Sequence, residues 1–188
     1  GVALTYRVLG KGYPVLLAHP LTRDGTVFIQ TGIASALAAN GFMCIMPDAV
    51  GHGGSGVPDD AARYGLSEQA RDALAVLDAL GIVSCGMAGY SMGAWLVSGI
   101  AVECPERVDT ALLAGWDVLE GARTFTACTG WEERLAEFGR IVRELTAADP
   151  VPPDAEHVLA WTMCYRQLFE TLPSIRELRA AGVRIDLA

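Results

Sequence analysis

The residues with chemistry to offer gather first around one serine. In Gly89-Tyr90-Ser91-Met92-Gly93 a serine has glycines two positions before and two after it, between an apolar run and a helix-forming one. That is the spacing of the G-x-S-x-G turn, in which the chain passes sharply from strand to helix and lifts a hydroxyl out of a sheet edge. The chemistry served by such a turn is nucleophilic attack on a carbonyl. Its flanks leave no room for side chains, a demand that Gly89 and Gly93 meet. The first N–H groups of the following helix, Met92's among them, point where an oxyanion would form, and the helix dipole favours the charge. With 21 glycines in the chain the pattern also arises by chance, so the neighbouring text matters. Residues 84–88 read as a short buried strand and residues 94–102 as a mostly apolar helix that Pro105 closes, which is the required order.

Other chemistry is thinner. Three histidines scattered without ligand spacing offer no metal site, and no Gly-rich nucleotide fingerprint follows a strand, so neither metal nor cofactor is expected. Cys44, Cys85, Cys104, Cys128 and Cys164 are widely spaced with no C-x-x-C pair and read as reduced core residues. Against 22 acidic residues stand 14 basic ones, a net charge of -8, which lacks the basic surface that nucleic acid or an anionic membrane would need. No apolar run approaches the roughly 18 residues of a spanning helix and no signal-like segment opens the chain, so a cytoplasmic protein is expected. A length of 188 residues, 52% hydrophobic, supports one globular domain with a sizeable core.

The elements that must position the serine follow from the chain in order. Residues 1–9 alternate loosely and 10–14 are turn chemistry, which reads as a strand and a hairpin-like turn. Residues 15–18 are a continuous apolar run suited to a central strand, ending in the loop His19-Pro20-Leu21-Thr22-Arg23-Asp24-Gly25. Residues 33–40 form a short helix stopped by Gly41, and 42–46 a third strand ending at Pro47-Asp48. A flexible loop, residues 51–56, precedes a helix capped by Ser67 and running to about residue 80, with Leu74, Leu77 and Leu80 on one stripe. Residues 107–114 add a strand that ends at Gly115-Trp116-Asp117. Such alternation builds an α/β protein with a mostly parallel sheet and helices on both faces.

From 119 to about 180 the text is only helical: 131–145, then 154–172 after the breaker Asp149-Pro150-Val151-Pro152-Pro153, then 174–181. Trp131, Phe138, Trp161, Tyr165 and Phe169 make this segment aromatic. A helical insertion here would cap a substrate pocket, while plain helix packing accounts equally for each aromatic taken singly. The expected division is a core over 1–118, a helical cap insertion over 119–181, and the start of a further core strand over 182–188.

This order of parts resembles the α/β-hydrolase family over nearly all of the chain. His19-Pro20 is similar to the family's His-Gly oxyanion loop, with proline in place of glycine. Pro47-Asp48 with Gly51-His52-Gly53-Gly54-Ser55 resembles its P-D-x-x-G-H-G-x-S segment, and Cys104-Pro105-Glu106-Arg107-Val108 its P-E-R-V. The resemblance implies a nucleophile at Ser91 and an oxyanion hole made by the backbone N–H groups of Leu21 and Met92. It also implies that His52 is a loop residue and that His19 orders the oxyanion loop. Family members run serine, acid, histidine, with the last two after later strands. The chain ends before both, so an incomplete C-terminus is expected. Asp117 and His157 keep the order and are one candidate pair; a second chain or a missing C-terminal segment is the other source. An open sheet edge would favour a homodimer.

The function implied is a carboxylesterase-like serine hydrolase cleaving a small-molecule ester or related acyl compound through an acyl-enzyme. From another class, a binding protein of this fold that kept the turn and lost the base fits the same residues.

Overall fold

The computed structural model describes residues 1–118, 120–171, 173 and 175–187. Along the chain run β1 (Tyr6–Gly10), β2 (Tyr13–Ala18), α1 (Val27–Gln30), α2 (Ile33–Ala39), β3 (Phe42–Pro47), α3 (Leu66–Ala79), β4 (Cys85–Tyr90), α4 (Met92–Glu103), β5 (Val108–Ala114), α5 (Trp131–Thr146), α6 (Ala155–Glu170), α7 (Ile175–Ala180) and β6 (Arg184–Leu187). The strands make one sheet in the order β1-β3-β2-β4-β5-β6. Only β1 runs antiparallel to its neighbour; every other pairing is parallel. The expected α/β class and mostly parallel sheet are what the chain forms. From β2 the chain winds outward to β3 on one side and to β4 on the other, and this reversal opens a crevice at the carboxyl ends of β2 and β4.

Each face of the sheet has its own core. Leu17, Phe28, Ala34, Cys44 and Met46 are buried beneath α1 and α2. Leu16, Ile45, Met87, Trp95 and Ile100 belong to the larger core on the other face, which α6 residues such as Trp161 and Leu168 join. Helix α4 is buried from Met92 through Ala101. It lies against β2, β4 and β5 and is covered by α3 and α7, so it is apolar on every side. No helix among the described residues is long and apolar enough to cross a membrane.

Several local expectations give way to tertiary structure. The first two strands are not a hairpin, because β3 lies between them. Gly10 and Gly12, at φ 87 and 112, let the chain step across the end of β3, and Tyr13 N–H donates to the Gly41 carbonyl at 3.1 Å. Ser67 does not cap α3. Gly65, in an extended conformation, precedes Leu66, and the Ser67 hydroxyl donates instead to Glu103 at 2.5 Å. The 51–56 loop is tied rather than loose: Gly51 N–H reaches the Gly56 carbonyl, Gly56 N–H reaches Ala3, and the buried Ser55 hydroxyl donates to the Asp48 carbonyl at 2.7 Å. All five cysteines are free, but Cys104 and Cys128 are only half-buried, Cys104 packing against the larger core from its edge. The expected starts of helical text at 119 and 174, the helix end at 172 and the strand residue 188 lie outside the described residues.

Candidate functional site

The Ser91 turn forms because three local demands coincide. Its residue sits at φ 54, ψ −116, a conformation that costs a non-glycine residue of order 1–3 kcal/mol and persists only when its surroundings impose it. They do: Ser91 N–H donates to the Ala114 carbonyl at 2.9 Å, extending the β4–β5 ladder, while its carbonyl accepts from Ala94 and Trp95 at 2.9 and 3.1 Å and starts α4. A Cβ on Gly89 would collide with the Gly93 backbone, and one on Gly93 with the Ala18 carbonyl.

Ser91 opens into a cavity of about 350 Å³. Leu21, Thr22 and Arg23 come to it from the loop after β2, Gly115 and Trp116 from the end of β5, Phe138, Ile141 and Leu145 from α5, and Tyr165 and Leu168 from α6. Phe138 and Tyr165 stack at 4.3 Å between centroids and join α5 to α6. Burial, followed by the nearby Glu137 charge, pushes the Tyr165 phenol up to about 12, so it stays neutral. Of the five aromatics, Trp131 and Phe169 pack on each other edge to face at 5.6 Å under the Arg134 guanidinium, and Trp161 faces elsewhere.

Leu21 and Met92 flank this serine differently. Leu21 lines the same cavity. The Met92 side chain is buried on the other side, and its N–H is the first of α4. Among the described residues neither N–H donates a hydrogen bond; for Met92 this follows from its place as the first helical residue.

The histidines occupy three separate places. His19 is buried, with Nε2 accepting from Ala49 N–H at 3.0 Å and Nδ1 donating to the Pro20 carbonyl at 2.9 Å. Both nitrogens are committed, which fixes the neutral tautomer and braces the loop that carries Leu21. His52 is fully buried, donates from Nδ1 to the Val50 carbonyl at 3.0 Å, and leaves Nε2 without a hydrogen-bond partner among the described residues. His157 pairs with Asp154 at 2.8 Å and lines a second cavity with Trp161. Asp117 accepts from Glu120 N–H at 3.0 Å. Neither Asp117 nor His157 lines the Ser91 cavity, so the order Ser91, Asp117, His157 is not assembled. The reason is helical phase and position. His157 in the first turn of α6 and Trp161 one turn on line the second cavity, whereas Tyr165 and Leu168, further along, line the Ser91 cavity. No three His, Cys, Asp or Glu side chains among the described residues gather into a set that could hold a metal ion.

Asp48 is the residue whose importance composition does not reveal. Its buried carboxylate accepts from Arg7 at 2.6 Å, Gly25 N–H at 2.9 Å and Gly54 N–H at 3.0 Å. It thereby joins the loop after β2 to the loop after β3. The only sign of it in the sequence is the Pro47-Asp48 pair.

Burial pulls both His19 and His52 below the ordinary imidazole value, and His19 lowers His52 further. A depressed folded pKa means that the unfolded chain binds the proton first, so stability is whole above about 6.5 and declines as pH falls below it. The unfolding free energy is expected to drop by about 1–2 kcal/mol between about pH 7.5 and 5.5, and by less in His52→Gln. Urea unfolding at the two pH values checks this, and a flat wild-type profile would refute it.

Comparison with known proteins agrees with this architecture. A family model described as alpha/beta hydrolase fold matches residues 13–168. A 2-hydroxymuconate semialdehyde hydrolase of Pseudomonas putida is 36% identical over 109 residues, covering 56% of this chain and 37% of that protein. One from Pseudomonas sp. (strain CF600) is 28% identical over 147 residues, covering 76% and 50%. The chain thus spans half or less of the length of these curated relatives. Among solved structures, a hydrolase from Pseudomonas aeruginosa superposes with a TM-score of 0.73 at 20% identity over 100% of this chain and 86% of that one. The enol-lactonase from Burkholderia xenovorans LB400 does so at 0.70 and 19%, covering 100% and 88%. With its family model matched from the start of β2 to Leu168 in α6, and Ser91 in the strained turn between β4 and α4, the chain belongs to the alpha/beta hydrolase fold family.

Proposed function

We propose that Ser91 is the nucleophile of a hydrolase acting on a small, largely apolar ester or related acyl compound. The observation that carries this reading is a serine held at φ 54 at the edge of an apolar cavity that Leu21 also lines, at the start of the helix that Met92 opens, with the N–H groups of Leu21 and Met92 unbonded among the described residues. In this reading Ser91 Oγ attacks the carbonyl carbon, its proton passes to a base, and the oxyanion is held by the two N–H groups. The C–O bond to the leaving alcohol then breaks, and water releases the acid from the acyl-enzyme. Relatives and structural neighbours named for a semialdehyde and an enol-lactone support a substrate of this size. The cavity walls, aromatic and aliphatic, favour an apolar acyl group.

The base is the part that the described residues do not bring to Ser91, since none of the three histidines lines its cavity. Turnover at the rate of a complete serine hydrolase therefore calls for a histidine from outside these residues, on the same polypeptide or a second one. That same observation favours a second reading, a binding protein whose cavity holds an apolar carbonyl ligand without cleaving it. Prolonged incubation with a fluorophosphonate, followed by intact-mass measurement, separates the two. One adduct on wild type and none on Ser91→Ala is expected. No adduct on either, with an apolar ester still bound, would establish the binding protein instead.

A further inference from the structure

Three consecutive residues of the loop after β2 face three different constraints. Leu21 lines the Ser91 cavity, and its N–H has no hydrogen-bond acceptor among the described residues. Thr22 is held at φ 69 with a buried hydroxyl that has no hydrogen-bond partner among the described residues, although a β-branched residue gains nothing from the left-handed conformation. Arg23 grips both carboxylate oxygens of Asp149 at 2.9 Å and donates to the Leu145 carbonyl at 2.6 Å. Asp149 is 126 residues away, just beyond α5, and Leu145 lines the Ser91 cavity. Thr22 and Arg23 line both this cavity and the second one of about 510 Å³, so the Arg23–Asp149 pair stands at their junction.

Neither the side chain nor the backbone of Thr22 stabilises the conformation it adopts, so its flanks must hold it. On one flank the His19 ring and Arg23 N–H both bond to the Pro20 carbonyl, at 2.9 and 3.3 Å. On the other, Arg23 Nη1 is shared between both Asp149 oxygens while Nη2 donates to the Leu145 carbonyl, so the planar guanidinium is fixed at two directional points where a lone charge would not be. We propose that Arg23 and Asp149 are positioning residues: their pair holds Thr22 in its strained conformation, keeps Leu21 N–H aimed at the carbonyl on Ser91, and so makes the oxyanion site depend on docking of the segment after α5. This rests on the reading of Ser91 as nucleophile. The pair is about a third exposed, so high salt weakens the hold.

Arg23→Gln and Asp149→Asn, each in the whole chain, are expected to speed amide exchange in the peptide covering residues 19–26 by about tenfold. They should slow phosphonylation of Ser91 by a similar factor without changing the binding constant of the probe, a split that a pair serving stability alone would not produce. The double variant should be no slower than either single. Unchanged exchange in both singles, a double variant as slow as the product of the singles, or a change confined to probe binding would each overturn the proposal. If wild type is never phosphonylated, the nucleophile reading fails, and the exchange rates still decide whether the pair holds the loop.

Discussion

Gly93→Ala is expected to remove roughly 4 kcal/mol of stability, beyond the 1–3 kcal/mol of ordinary overpacking. The added methyl would overlap the Ala18 carbonyl, which is backbone of β2 and cannot rotate away. Ala18 is itself paired in register with Gly89, so retreat of β2 would break the ladder to β4. Nor can α4 lift, because its residues from Met92 to Ala101 are buried between the sheet and the helices that cover it. Against native stabilities of about 5–15 kcal/mol, a loss of this size removes a large fraction of what keeps the chain folded. The control is Gly139→Ala in the interior of α5. Its Cβ would meet only the end of Arg143 at 3.6 Å, and the gain in helix propensity should raise stability by up to about 1 kcal/mol. Urea unfolding of both variants decides the matter, and a Gly93→Ala protein as stable as wild type would mean that α4 does not approach β2 this closely.

Asp48→Ala is expected to cost about 3–5 kcal/mol, the range for removing one partner of a buried charge pair. The Asp48 side chain is wholly buried while Arg7 is about a third exposed, so loss of the carboxylate leaves the guanidinium partly solvated but strands two N–H groups, those of Gly25 and Gly54. Within that total, each stranded N–H accounts for about 1–3 kcal/mol of desolvation unless water reaches it. Asp48→Asn keeps an oxygen for one of these donors but turns an amide NH₂ toward another, so it should fall between alanine and wild type. The ordering Ala, Asn, wild type in unfolding free energy is the result to look for; equal stability of all three would show that the loops after β2 and β3 are held by other contacts. Because Gly25 closes the loop that carries Leu21, the asparagine variant should also slow Ser91 labelling.

The Ser91 turn and its surroundings were legible because their causes are local. Gly89 and Gly93 answer a steric demand within five residues, and the apolar run from Val15 to Ala18 identifies a strand with neighbours on both sides. The uniformly apolar α4 reads as a buried helix for the same reason. Residues whose roles depend on distant partners carried no such mark. Arg23 is an ordinary loop arginine until folding sets it against Asp149, and Asp48 is an aspartate after a proline until three donors converge on it. His157 has the right place in the chain for a base, yet its position on the first turn of α6 sends it to another cavity. The turn at Gly10–Pro14 looks like a hairpin because turn chemistry says that the chain bends, not which strand lies alongside.

The sequence by itself therefore determined the α/β alternation, the parallel sheet and the serine turn, since periodicity and backbone sterics act over a few residues. Only the tertiary structure decided the strand order, the tying of the 51–56 loop, the walls of the Ser91 cavity and the polar pairs that brace it, because a hydrogen bond across a hundred residues exists only once packing has set its partners side by side.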